Sequence, residues 1–218
     1  LGDVYKRQLY TQRKQNLGGE FTGEDNSVLE DKYFMMRIRF DGGICSTAQA
    51  RAVGELSRDY ARSTVDLMDR QNIQFHWVRI EDVPAIWDTL EEHGLNTWDA
   101  CGDVPRVILG SPVAGIAKDE IIDATPAIRK IQQIVTDDEF QNLPRKFKSA
   151  ISGNARQDVV HEINDLAFIG VEHPDLGPGF ECYVGGGLST NPMLAQSLGA
   201  FVTLEQVPDV WANVVRIF

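Results

Sequence analysis

The sequence predicts an α+β protein in two parts, and three observations predict it. Strand-like and helix-like periodicities alternate twice between Lys32 and Gly94, which is the pattern of half a split β-α-β unit. After Leu95 the texture changes to short strand-like runs punctuated by Gly102, Gly110, Gly115, Gly153, Gly170 and the triplet Gly185-Gly186-Gly187. A content of 43% hydrophobic and 24% charged residues over 218 positions supplies an ordinary globular core. We therefore expect an extended amino-terminal arm over 1–30, a strand–helix half-unit over 31–95 and a mixed α/β domain over 96–218.

The elements follow in order. Residues Leu1 to Glu30 are polar with weak periodicity. From Lys32 to Phe40 a run rich in Tyr, Phe, Met and Ile reads as a buried strand, and Asp41-Gly42-Gly43 turns the chain. Ser46 or Thr47 can cap a helix whose apolar positions Ala50, Val53, Leu56, Tyr60 and Ala61 fall at helical spacing. A second strand over Asn72 to Arg79 alternates Ile73, Phe75 and Trp77 with Gln74 and His76. Glu81-Asp82-Val83-Pro84 opens a second helix, with acids and proline in its first turn, and Gly94 ends it. Val159 to Val171 reads as a strand pair or one long bent strand. Ser189, Thr190 or Asn191 can cap a helix with Pro192 in its first turn. Phe201-Val202-Thr203 is a last short strand before a helix through Trp211 and Val215.

Several function classes are excluded. A net charge of -11 argues against a nucleic-acid partner, because phosphate contacts need a basic face. No apolar run approaches the ~18 residues that a membrane span needs. With no leader pattern, the cytoplasm is the expected location. Cys45, Cys101 and Cys182 lie far apart with no C-x-x-C spacing, and His161 and His173 add no metal-ligand pattern, so no metal site is expected within this chain. The absence of Met at Leu1 and the stop at Phe218 lead us to expect a piece of a longer protein.

The positive charges are clustered although the chain is acidic. Arg37 and Arg39 share a strand face, Lys146 and Lys148 do so if their segment is extended, and Arg106 follows Pro105 in a glycine-containing loop. Cations beside apolar strands are costly to bury unless they meet anions. A polycarboxylate cofactor or an oxyanion would satisfy them, and so would internal salt bridges to the plentiful Asp and Glu. Gln74 and His76 form a polar face on an apolar-backed strand, which suits a ligand or a solvent-facing edge. The triple glycine permits close backbone approach to a ligand, or is simply a turn.

Seven blocks occur in one order along the chain: Tyr10-Thr11-Gln12-Arg13, Tyr33-Phe34-Met35-Met36-Arg37, Asp69 to Trp77, Ala100 to Arg106, Leu143-Pro144-Arg145-Lys146-Phe147-Lys148, His161-Glu162-Ile163-Asn164-Asp165, and Val184 to Met193. Together they resemble the sirohaem- and [4Fe-4S]-dependent nitrite/sulfite reductase family, its bacterial ferredoxin-dependent members in particular. The resemblance runs from about Leu9 to Phe218 and stops near the middle of the family's usual length. Leu1 to Gln8 do not match it.

The resemblance implies a ferredoxin-like half-domain followed by a mixed α/β sirohaem-binding domain. It gives Arg37, Arg106, Lys146 and Lys148 the role of the four basic residues that surround the bound oxyanion. Arg70, Gln74 and His76 match residues that hold sirohaem carboxylates, and Gly187 and Asn191 lie in a cofactor-adjacent loop. The cofactors implied are sirohaem and a [4Fe-4S] cluster. The cluster's C-x5-C and C-x3-C ligands are absent here and belong to a carboxy-terminal half, so this chain alone is expected to be inactive. Some sulfite reductases of the family pair a Tyr and a Cys beside the haem, at positions matching Tyr10 and Cys101. Members favouring nitrite often carry Asn where Lys148 stands. The expected activity is therefore six-electron reduction of sulfite to sulfide with reduced ferredoxin as donor. The alternatives are ferredoxin–nitrite reductase, or a non-catalytic module that binds some other polyanion.

Overall fold

The structure, a computed structural model, describes residues 9–13, 29–156 and 158–218. The arm expected over 1–30 lies outside the described residues, apart from Leu9–Arg13, which forms strand β1, and the first residues of β2; the mismatch at Leu1 to Gln8 lies outside them too. The chain divides into two compact units, one of Leu1–Phe40 with Cys45–Ala100 and one of Asp41–Ile44 with Cys101–Phe218.

In the first unit, strand β2 (Leu29–Ile38) pairs antiparallel with β1 and with β4 (Ile73–Val78). A two-residue strand, β3 (Asp66–Leu67), closes the outer side of β4, giving the order β1-β2-β4-β3. Helix α1 (Thr47–Tyr60) starts where the sequence predicts. Ser46 Oγ accepts from the Gln49 N–H and Gln49 Oε1 accepts from the Ser46 N–H, which satisfies two otherwise orphan donors. Helix α2 (Val83–Glu92) carries Pro84 in its first turn, and Gly94 follows it at φ +66°. Both helices bury their apolar stripes on one sheet face, where Met36, Ile38, Phe75 and Val78 meet Val53, Leu56, Ile86 and Leu90. Strand alternation then leaves Arg37 and Gln74 on the other face.

The alternation expected through Trp77 breaks at its end. Phe34 pairs with Val78 and Met36 with Phe75, so His76 and Trp77 together oppose Met35. This β-bulge puts Trp77 at φ +65°, a conformation that bulky side chains rarely adopt.

In the second unit, strands β5 (Leu109–Gly110), β6 (Ser149–Ser152), β7 (Leu166–His173), β8 (Gly177–Val184) and β9 (Gln196–Val202) form one sheet in chain order. The first three are parallel and the last two join antiparallel. Helices α3 (Thr125–Ile134) and α4 (Val207–Ile217) cover one face, where Ile128, Ile131, Trp211 and Val215 pack on Ile151, Phe168, Phe180 and Cys182. The other face carries a smaller cluster of Leu109, Ala150, Ala167 and Ile169 with Tyr183 against it.

The structure corrects two expectations and adds one element. Helix α3 was not anticipated, because ten residues opening on Thr125-Pro126 give a short amphipathic signal beside a polar loop. Val159 to Val171 is neither a strand pair nor a bent strand: a 3-10 turn at His161–Ile163 precedes β7. No helix follows the triple glycine. Gly187 bridges to Met193 and the chain returns as β9, with Tyr183 opposite Ser197 and Val184 opposite Gln196. Ladder pairing along β8 overrides the capping tendency of Ser189, Thr190 and Asn191.

Candidate anion-binding site

In the first unit a polar row crosses the sheet face away from the helices. Arg37 on β2 stands opposite Gln74 on β4, and Gln74 stands opposite Asp66 on β3. Arg37 Nη1 donates to the Ala100 carbonyl at 3.2 Å, and Gln74 is buried at 6% exposure. His76 Nε2 lies 2.9 Å from Asp66 Oδ2 on the same face. Arg70 sits in the tight turn before β4, where Gln71 N donates to Met68 O at 2.8 Å and Gln71 adopts φ +61°. Arg39 is buried, and its N–H donates to Asn96 O. Tyr10, half-buried, belongs to β1 opposite Met35.

In the second unit the three remaining basic residues lie on two neighbouring extended segments. Pro105 and Phe147 form a parallel bridge, and Arg106 N donates to Phe147 O at 2.7 Å. Phe147 is fully buried, with its ring 5.0 Å from that of Phe218. Side chains alternate along extended chain, so Arg106, Lys146 and Lys148 project away from Phe147 onto one common face. This is the face that carries Ala150 and Ala167 further along the sheet. Arg106 Nε donates to Gly102 O at 3.0 Å and Lys148 Nζ to Ile163 O at 3.3 Å, while Lys146 is exposed. Gly187 and Asn191 lie in the β8–β9 connection, where Asn191 is exposed.

A family model described as the nitrite and sulphite reductase 4Fe-4S domain matches residues 101–218, more than half of the chain. The chain belongs to the nitrite and sulphite reductase family. A second model, the nitrite/sulfite reductase ferredoxin-like half domain, matches residues 28–93. The chain is 57% identical over 212 residues to the sulfite reductase [ferredoxin] of Mycobacterium tuberculosis, covering 96% of this chain and 38% of that protein. It is 37% identical over 192 residues to an assimilatory ferredoxin-dependent nitrite reductase of Haloferax mediterranei, covering 81% of this chain and 33% of that one. The solved Mycobacterium tuberculosis NirA protein superposes with a TM-score of 0.92 at 55% identity, over 98% of this chain and 39% of that one. Dissimilatory sulfite reductase I shares the fold, at a TM-score of 0.72 and 11% identity. The chain thus spans about two-fifths of the length of the sulfite reductases it matches.

Family membership implies sirohaem and a [4Fe-4S] cluster, and the two groups fit this chain differently. Cations and amides above a floor of small apolar residues, such as Arg106 and Lys148 beside Ala150 and Ala167, suit an apolar ring that bears carboxylates. For the cluster, among the described residues no group of three or more His, Cys, Asp or Glu side chains could hold a metal ion. Cys45 is exposed, while Cys101 and Cys182 are buried. Cys182 packs in the core beneath the helices, where burial pushes its thiol up to about 11. Among the described residues, the three cysteines of this chain of the nitrite and sulphite reductase family belong to no such group.

Sequence reasoning missed two supporting groups. Asp66, which faces His76, lies on a strand too short to leave a periodic signal. Asp165, whose Oδ2 accepts from the Lys148 N–H at 2.7 Å, sits in the His161–Asp165 block, where no spacing in the sequence links it to the lysine 17 residues earlier.

Proposed function

We propose that this chain is the amino-terminal part of a ferredoxin-dependent sulfite reductase, in which Arg37, Arg106, Lys146 and Lys148 bind the oxyanion and the two lysines protonate it. Arg70, Gln74, His76, Gly187 and Asn191 hold sirohaem in this reading. The single observation that supports it most is the common face shared by Arg106, Lys146 and Lys148 across the Pro105–Phe147 bridge.

When bound, sirohaem and the cluster supply the six electrons, with reduced ferredoxin as their source. Everything else falls to the protein. Reduction of sulfite to hydrosulfide releases its three oxygens as water and takes up seven protons, so the site must neutralise a dianion and keep delivering protons. Arg37 and Arg106 offer planar forks that span two oxygens and keep their own protons. Lys146 and Lys148 are compact charges that polarise the S–O bonds and give up a proton more readily. Gln74, nearly buried opposite Arg37 and with Nε2 2.6 Å from Met68 Sδ, would meet a sirohaem carboxylate without adding charge.

In the full-length protein, Lys148→Met is expected to cut sulfite turnover by about a hundredfold or more while leaving the sirohaem absorption band in place. Loss of the band instead would make Lys148 a cofactor-holding residue and remove its catalytic role.

Nitrite is the second reading, supported by the 37% identity to the Haloferax nitrite reductase. The ratio of kcat/KM for the two anions decides between them, and Lys148 favours sulfite. Tyr10 and Cys101 form a pair beside the haem in this reading, and intact mass of the full-length protein, two hydrogens lighter if they are joined, tests whether they are crosslinked. Among the described residues no helix is long and apolar enough to cross a membrane. Cytoplasmic residence goes with the reading as an enzyme fed by ferredoxin.

A further inference from the structure

We infer that the turn His161–Asp165, backed by Gly186, aims the Lys148 ammonium, so that Asn164 and Gly186 are positioning residues for that lysine. The inference rests on the role proposed above for Lys148.

The two neighbours of Lys148 are fixed by packing. Phe147 stacks edge-on against Phe218, and Ser149 accepts the Trp211 Nε1–H at 3.1 Å in the core. The lysine side chain is different. It is a flexible four-carbon stem, and holding its end in one place costs rotamer entropy unless something seizes it.

One segment takes hold of Lys148 at both ends. Asp165 Oδ2 accepts from its backbone N–H at 2.7 Å, and Ile163 O accepts from its Nζ at 3.3 Å. A carbonyl orients an ammonium without cancelling its charge. Where Ile163 O points depends on how the turn closes. Asn164 N donates to His161 O at 3.1 Å, and Asn164 Nδ2 donates to Val160 O at 2.7 Å. Asn164 is fully buried, so water cannot replace that side-chain amide.

The turn is also fixed by the β8–β9 connection. Gly185 N donates to Asp165 O at 2.9 Å, Gly186 N to Asn164 O at 3.0 Å and Ala195 N to Glu162 O at 2.7 Å. A Cβ at Gly186 would collide with the carbonyl oxygens of Glu162 and Asn164, whereas Gly187 has open space around it. Only a glycine lets the β8–β9 connection come this close. The His161 ring adds a buried edge-on contact to Tyr183 at 4.9 Å. The middle glycine of the triplet therefore serves a lysine two segments away through backbone contact alone.

The test uses the full-length enzyme loaded with its cofactors. Asn164→Ala and Gly186→Ala are each made in the native and the Lys148→Met backgrounds. Turnover, KM for sulfite, the sirohaem band and Tm are then read for every variant. In the native background Asn164→Ala is expected to lower kcat about tenfold to a hundredfold, with the sirohaem band retained. In the Lys148→Met background it is expected to cost less than about twofold in kcat, because no ammonium remains to be aimed. The fall in Tm should be the same in both backgrounds. Equal fold-losses of kcat in the two backgrounds would overturn the inference, since that is what a merely structural lesion gives. If Gly186→Ala does not fold, Asn164→Ala carries the comparison. Wild-type turnover in Lys148→Met itself would instead remove the role of the lysine, and the inference with it.

Discussion

The two units hold their polar side chains by different means. In the first, Arg37, next to last in β2, and Gln74, second in β4, are placed by ladder register, with two amphipathic helices behind the sheet. In the second, Arg106 and Lys148 stand on short extended segments at the rim of a sheet, and loop backbone packed against loop backbone sets their positions. Glycines mark the contrast. Gly54 in α1 has nothing within 4 Å of where a Cβ would stand, whereas a Cβ on Gly153 would overlap Ile122 O and one on Gly170 would strike the Gly153 backbone. A site built on register tolerates side-chain change beside it. A site built on backbone apposition does not.

Gly153→Ala should therefore have the largest effect. The obstructing atom is a carbonyl that cannot swing aside like a flexible side chain, and both Ile121 N and Ile122 N donate to Gly153 O. A loss of about 4 kcal/mol or more is expected, enough to unfold the second unit. Chemical denaturation followed by tryptophan fluorescence measures it. A loss below about 1 kcal/mol would show that the 112–122 loop yields, and the contrast between the units would weaken.

Trp211→Phe comes next. It keeps most of the buried area but leaves Ser149, fully buried, without the donor from Nε1. The expected cost is about 1–3 kcal/mol in the same measurement. Adding Ser149→Ala to that variant should recover part of it, because both polar partners are then gone.

These two predictions also mark where sequence reading ran out. The first unit was legible because its signals are local: Ser46 and Gln49 make a capping box, Pro84 opens a helix, and Met36 and Ile38 alternate with Arg37. What escaped there was the two-residue strand Asp66–Leu67 and the bulge at Trp77, neither of which spans a period. In the second unit the glycines were visible but not their partners. Gly153 meets Ile122 and Gly186 meets Glu162, across separations that no local pattern encodes. The cap chemistry of Ser189 to Pro192 favours a helix entry after the triple glycine, yet pairing of β9 with β8 decides the outcome. The cations that define the candidate site were found by their cost of burial and by resemblance, and the groups that orient them were not.

Gly54→Ala tests the permissive side of the comparison, with the opposite sign. Open space and a helical backbone mean that the added methyl loses nothing and the unfolded chain loses freedom. A gain of about 0.5–1 kcal/mol is expected for the first unit, read as a higher denaturation midpoint. Destabilisation would mean that α1 is held by contacts in the full-length protein that the substitution disturbs.

The smallest effect concerns exposed ion pairs, and here too the units differ. In the first, Arg58 pairs with Asp59 and Arg79 with Asp82, neighbours one and three residues apart. In the second, Arg216 on α4 grips Glu139 with two bonds, of 2.9 and 2.8 Å, across 77 residues. Hydrogen bonding to the guanidinium lowers the Asp59, Asp82 and Glu139 carboxyls below their usual range. A carboxyl with a lowered folded value contributes stability above its unfolded value and loses it as pH falls through the folded one. The local pairs can form in the unfolded chain as well, which shrinks their difference between states, whereas the Glu139–Arg216 pair exists only when α4 is docked. Glu139→Gln should accordingly flatten the fall of Tm between about pH 5 and pH 3 slightly, and Asp59→Asn should leave that slope unchanged. Because solvent and salt screen all three pairs, the difference should shrink further in 1 M salt. An equal change of slope in the two variants would mean that chain separation is irrelevant, and that the units do not differ in how they use surface charge.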